Sequence, residues 1–148
     1  MNIRYELAKA HHTDLLMQLV EEFYEFDGHP FIPDKAREAI AGLIENPAHG
    51  RIWLVMADDT PIGYVAITIG YSLEYHGLGG FVDEIFLREP YRGKGIGRQT
   101  FAFMEAECRK LGLNVLHLEV MPENQKAYAF YCKQGYVDRQ SSLLTKWL

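Results

Sequence analysis

The sequence predicts an α/β (α+β) chain built on a mixed β-sheet with helices on both faces. Three observations predict it. Apolar residues recur with period two in some segments and at helical spacing in others, in the order β-α-α-β-β-β-α-β-α-β. Tight turns join some strands and helices join others, so both antiparallel and parallel pairs are expected. A chain of 148 residues, 48% hydrophobic and 24% charged, suffices for one sizeable core and is too short for two ordinary ones. A single domain over residues 1–148 is therefore expected.

Asn2–Leu7 alternates as a half-buried strand does. Thr13 suits a helix cap, after which Leu15, Leu16, Leu19, Val20 and Phe23 recur at helical spacing until Gly28 and Pro30. Pro33 and Asp34 open a second helix with Ala36, Ile40, Leu43 and Ile44 on one face, and Asn46-Pro47 stops it. Arg51–Ala57 and Ile62–Ile69 read as a hairpin around Asp58-Asp59-Thr60. Gly70–Gly80 reads as a loop and Phe81–Leu87 as the next strand. A helix follows from about Gly95 to Leu111, ended by Gly112, with Ile96, Thr100, Phe103, Met104, Cys108 and Leu111 on its inner face. Val115–Val120 is a strand, Asn124–Gln134 a short helix, and Tyr136–Leu148 is expected to supply a closing strand.

Composition removes several function classes. The net charge of −5, from 15 basic and 20 acidic residues, argues against nucleic-acid binding, which needs basic surface to displace counterions. It is compatible with a cationic small substrate. No apolar run approaches the ~20 residues needed to span a bilayer, and the N-terminus lacks a signal-peptide core, so no membrane association is expected. Cys108 and Cys132 are far apart and read as reduced, packed thiols of a cytoplasmic protein. The six histidines offer no helical ligand pair, and no metal is expected.

The most informative segment is Leu87-Arg-Glu-Pro-Tyr-Arg-Gly-Lys-Gly-Ile-Gly97. A strand runs into a turn holding Gly93, Gly95 and Gly97, and a helix begins at once. Backbone amides at a helix start are unsatisfied and electropositive. Glycines let an anion approach them, and Arg92 and Lys94 add charge. These features describe a phosphate or pyrophosphate cradle. It is neither a P-loop, since no G-x-x-x-x-G-K-[ST] occurs, nor a dinucleotide fingerprint, since Arg98 stands where a third glycine belongs.

Arg92-Gly-Lys-Gly95-Ile-Gly97 resembles the R/Q-x-x-G-x-G/A signature of the Gcn5-related N-acetyltransferases, the GNAT superfamily. Downstream, Asn124-x-x-Ala127-x-x-x-Tyr131-x-x-x-Gly135-Tyr136 is similar to a second element of that family. With the element order, the resemblance covers essentially the whole chain. It implies a GNAT-like acyl-CoA N-acyltransferase fold with acetyl-CoA as co-substrate. The pyrophosphate would lie on Arg92, Gly93, Lys94, Gly95, Ile96 and Gly97. The pantetheine would run beside Ile85, Phe86 and Leu87 and contact Asn124. A bulge near Asp83–Ile85 would open the gap that receives the acyl group. Homodimers are common in the family.

Tyr131 lies seven residues after Asn124, nearly two helical turns, so both share a face. Its hydroxyl there is placed to give the departing thiolate a proton; the plainer reading is a packed tyrosine with a satisfied hydroxyl. The amine must also lose a proton before attack. Glu84 ranks first and Asp83 second for that role, ahead of Glu119 and water; without a bulge, only one of Asp83 and Glu84 faces the cleft. Phe81–Leu87 and Glu22–Asp27 also resemble, more weakly, the acidic segments of polyamine acetyltransferases in the superfamily. On that resemblance Glu22, Glu25, Asp27, Asp83 and Glu84 would hold a cationic amine; Gly28-His-Pro-Phe31 departs from the pattern. The expected function is transfer of acetyl to a small cationic primary amine by direct attack. The alternatives are a non-catalytic acyl-CoA-binding module and, less well matched, a nucleotide-dependent phosphotransferase.

Overall fold

A computed structural model describes all residues 1–148 and divides them into two compact units, Met1–Leu118 and Glu119–Leu148. The first unit carries a five-stranded sheet in the order β1-β2-β3-β4-β5. Its strands are β1 (Ile3–Leu7), β2 (Gly50–Ala57), β3 (Thr60–Ser72), β4 (Gly77–Leu87) and β5 (Leu116–His117). Neighbours are antiparallel from β1 to β4, and β5 is parallel to β4. The predicted mixed sheet is present.

Alternation along the strands sends side chains to two faces. Ile52, Leu54 and Met56 of β2, Tyr64 and Ala66 of β3 and Phe86 of β4 meet helices α1 (Thr13–Asp27) and α2 (Pro33–Glu45). Leu16, Leu19 and Val20 of α1 and Ile40 of α2 close that core. The opposite face buries Val55, Ala57 and Ile62 against Ile96 of α3 (Ile96–Lys110). Phe103 of α3 stacks on Tyr5 at 4.1 Å and meets Trp53 edge-on. The hydroxyl of buried Thr100 donates to the Ile96 carbonyl at 2.8 Å, inside the helix that carries it.

The helix ends follow local chemistry. Gly28 adopts φ 75° and its N–H closes on the Tyr24 carbonyl, ending α1. Pro33 opens α2, where its missing N–H costs nothing. Thr13 is not the cap of α1: His12 holds that position, and the Thr13 hydroxyl donates to the Ala10 carbonyl. Cys108 is buried as expected, its thiol pushed up to about 11 chiefly by burial. Cys132 is free but exposed rather than packed.

Two departures in the sheet have physical causes. Gly70–Gly80 is mostly strand, because the β3–β4 ladder continues through Gly70–Gly79, Tyr71–Leu78 and Ser72–Gly77. Backbone hydrogen bonds need no side chains, so a glycine-rich strand carries little sequence signal. A Cβ on Gly80 would meet the Leu116 and Leu113 side chains at 2.7 and 2.9 Å, so glycine there admits the incoming chain. β5 is also shorter than predicted, pairing with β4 only at Gly80–Leu116 and Phe81–His117.

In the second unit, α4 (Gln125–Lys133) is capped by Asn124, whose side chain accepts the Ala127 N–H at 3.2 Å. The predicted closing strand is absent, since residues 136–148 carry neither helix nor strand. A segment becomes a strand only where a partner ladder supplies its hydrogen bonds.

Gly63 and Gly42 make a contrasting pair for stability. A Cβ on Gly63 would be driven into the Phe86 carbonyl of the neighbouring strand, whereas one on Gly42, within α2, meets nothing within 4 Å. Gly63→Ala is expected to destabilise by about 3 kcal/mol, as overpacking against rigid backbone does. Gly42→Ala is expected to stabilise by up to about 1 kcal/mol through helix propensity. Urea unfolding of both variants checks the pair.

Candidate functional site

The site begins with one extra residue. Across β3 and β4, Ala66 pairs with Glu84 but Ile67 pairs with Val82, leaving Asp83 unmatched. Such a bulge bends the strand and re-aims its side chains. Asp83 and Glu84, which regular alternation would separate, line the same cavity of about 120 Å³. The β4–β5 ladder ends at Phe81, just before the bulge, so Asp83–Leu87 have no ladder partner in β5.

The cavity lies between the sheet and the first two helices. Leu16 and Val20 of α1, Ile40 and Leu43 of α2, and Ile52 and Ala66 of the sheet form its apolar walls. Its polar end holds Tyr24, Tyr64, Asp83 and Glu84. The Glu84 carboxylate accepts the Tyr24 hydroxyl on Oε2 at 2.6 Å and the Tyr64 hydroxyl on Oε1 at 2.8 Å. Burial is the largest influence on Glu84 and raises its pKa, the Asp83 charge raises it further, and the two hydroxyls partly offset the rise. Desolvation raises Asp83 as well, although solvent reaches this exposed residue and limits the effect. Both tyrosines are pushed up by burial and by the adjacent Glu84 charge, so they stay protonated donors.

The other acidic candidates have different surroundings. Glu22 accepts a two-pronged bond from Arg88, Nε at 2.8 Å and Nη2 at 2.7 Å, and this pair holds its carboxyl below the usual range. Asp27 lies 2.7 Å from His29, and Glu25 is exposed at the end of α1. The structure thus brings Asp83 and Glu84 together, while Glu22 and Asp27 face basic partners.

After β4 the chain turns through Arg92–Gly95 into α3. Gly93 and Gly95 hold φ of 71° and 79°, the left-handed region that a residue with a Cβ enters only at a cost. Gly95 stands at the N-cap of α3, and no side chain caps that helix. A Cβ on either glycine would meet nothing within 4 Å, so open space lies over the turn. The arrangement fits an anion: uncapped amides, positive dipole end and exposed Lys94. Arg92 folds back instead. Its guanidinium lies 4.2 Å from the Phe26 ring centre, and its Nε donates to the Leu87 carbonyl at 2.7 Å. Ile96 and Phe86 point their side chains into the two cores, so only their backbones are free to serve a ligand.

Within the second unit, Asn124 and Tyr131 sit at the start and near the end of α4. Tyr131 packs edge-on to Phe130 and Tyr136, and its carbonyl accepts the Tyr136 N–H.

Comparison with known proteins places this architecture. The model of the acetyltransferase (GNAT) family matches residues 13–136, which spans both units. The chain belongs to the GNAT acetyltransferase family. It is 27% identical to an aminoalkylphosphonate N-acetyltransferase of Salmonella typhimurium, over 65% of this chain and 61% of that protein. It is 29% identical to an IAA acetyltransferase of Azospirillum brasilense, over 85% of this chain and 79% of that one. Among solved structures, an integron cassette protein, HFX_CASS3, from the mobile metagenome of Cole Harbour Salt Marsh is 33% identical, with a TM-score of 0.87 over 97% of this chain and 90% of that one. The match spans about three fifths of the length of the Salmonella relative.

In this GNAT chain, sequence reasoning missed Tyr24, Tyr64 and Arg88. Tyr24 and Tyr64 carried a signal, because a tyrosine on an apolar stripe needs a partner for its hydroxyl. Arg88 carried none, because its partner Glu22 lies 66 residues away in sequence.

The turn yields a direct test. Gly95→Val both strains the left-handed position and fills the open space above it. Acetyl-CoA affinity by calorimetry is expected to fall at least tenfold, while circular dichroism still reports a folded chain; unchanged affinity removes the pyrophosphate assignment.

Proposed function

We propose that residues 1–148 form one N-acetyltransferase domain that moves acetyl from acetyl-CoA to a small primary amine by direct attack. The observation that carries this reading is the Asp83 bulge, which turns two carboxylates into one cavity on the strand leading to the uncapped, glycine-lined start of α3. The Arg92–Gly97 turn would receive the pyrophosphate through its backbone amides, with Lys94 adding charge. The open edge of Ile85–Leu87 would hold the pantetheine arm, and Asn124 would support it from the start of α4. The Salmonella relative's name, an aminoalkylphosphonate N-acetyltransferase, fits a small amine acceptor.

The acceptor arrives as an ammonium, and Asp83 and Glu84 supply the negative charge that draws it in, with Glu25 at the helix end. Glu84 takes the proton: burial raises its proton affinity, and Tyr24 and Tyr64 hold it in place. The freed nitrogen lone pair forms the new C–N bond as the C–S bond breaks. Tyr131 gives a proton to the departing thiolate, and the second proton, shed by the new amide nitrogen, returns Tyr131 to its protonated form.

Two variants separate these roles. Tyr131→Phe keeps the ring and removes the hydroxyl; kcat is expected to fall about 100-fold with little change in acetyl-CoA binding. Full turnover in that variant leaves Tyr131 a packing residue. For Glu84, activity is expected to fall as pH drops through its raised pKa, so the acid limb lies above the ordinary carboxylate range. Glu84→Gln is expected to remove that limb from the kcat/KM profile. If thiol release from acetyl-CoA stays at background with every amine offered, the chain is an acyl-CoA-binding module instead.

A further inference from the structure

We infer that the preferred acceptor is a monoamine bearing an unbranched apolar chain of about four to six carbons, buried under α2 with the amine at Asp83 and Glu84. This rests on the acetyltransferase reading and names the substrate class of that site.

The cavity has two chemically distinct parts. Its walls are apolar side chains from α1, α2 and the sheet, and its polar groups are confined to Tyr24, Tyr64, Asp83 and Glu84. The two tyrosine hydroxyls are already committed to Glu84. No group along the walls can satisfy a hydroxyl, an amide or a second charge, and burying such a group unpaired is costly. A distal ammonium finds no acidic partner along those walls: Glu22 is held by Arg88, Asp27 faces His29, and Glu25 does not line the cavity. The only complementary ligand is one with a charged head and an apolar tail. Size narrows it further. A volume of about 120 Å³ is somewhat less than the roughly 150 Å³ apolar cavity that admits benzene. That space suits a chain of four to six carbons, and a longer one would leave the remainder of its length outside the apolar walls.

The test is a series of primary amines from ethylamine to octylamine, with 1,4-diaminobutane as the dicationic control. Specificity, kcat/KM, is expected to rise about fourfold per methylene, the factor equivalent to about 0.8 kcal/mol, and to level off once the cavity is full. Butylamine is then expected to exceed ethylamine roughly 16-fold and to exceed 1,4-diaminobutane at least tenfold. Ala36 of α2 also lines the cavity and is only partly buried, so Ala36→Leu narrows it at a position that tolerates a larger helix former. The butylamine-to-ethylamine ratio is expected to collapse toward one in that variant. A ratio independent of chain length, or a preference for the diamine, overturns the inference while leaving acetyl transfer intact. If no amine is acetylated, calorimetric titration of the same series decides separately. Affinity that grows with chain length keeps the pocket assignment and removes the transferase reading, and affinity independent of length overturns the assignment.

Discussion

The site depends on a single unmatched residue. Asp83 has no partner on β3, and that one-residue slip puts two consecutive carboxylates into one cavity. A regular strand there would send one of them to the opposite face of the sheet. Three residues before Glu84, the ladder to β5 ends at Phe81, so the strand that carries the carboxylates also has an open edge. The bulge lies on the β3 side of the strand and the open edge on its β5 side, so both fall within the same few residues of β4.

Holding a carboxylate in a largely apolar pocket is unfavourable unless its lone pairs are met. Tyr24 and Tyr64 meet them from opposite elements, one from α1 and one from β3, and thereby tie the helix to the sheet through Glu84. Two further contacts fasten the same end of α1 to the strand end and turn beyond it. Arg88 grips Glu22 with two bonds and also donates to the Pro61 carbonyl. Arg92 covers Phe26 while bonding the Leu87 carbonyl. The cavity and the glycine turn are therefore framed by the same few side chains. A charge that reads as attraction for a cationic substrate, Glu22, acts here as a structural anchor for Arg88.

Legibility differed by kind of signal. The helical stripes of Leu16, Leu19 and Val20, and of Ile96, Thr100 and Met104, were readable because helix periodicity is local. The turn at Gly93 and Gly95 was readable because a left-handed backbone at a helix start leaves glycine as the favoured residue. Gly70–Gly80 reads as a loop because glycine removes the side-chain alternation by which a strand announces itself, while leaving its backbone ladder intact. Tyr136–Leu148 errs in the opposite direction: its apolar residues come in adjacent pairs, and it forms no ladder. The polar end of the cavity was half legible. Glu84 and Asp83 stood out as acids in an apolar strand, but their partners on α1 and β3 did not.

By itself the sequence determined the mixed α/β layout, the helix-start cradle at Arg92–Gly97 and the candidate acid-base residues, because each is written in short-range pattern and residue chemistry. Only the tertiary structure decided that Asp83 and Glu84 share one cavity, that Glu84 rests between Tyr24 and Tyr64, and that Glu22 belongs to Arg88. Those outcomes follow from strand register and helix docking, which bring together residues 20 to 66 positions apart. A register slip of one residue leaves almost no trace in sequence, yet it reverses the face of every side chain beyond it.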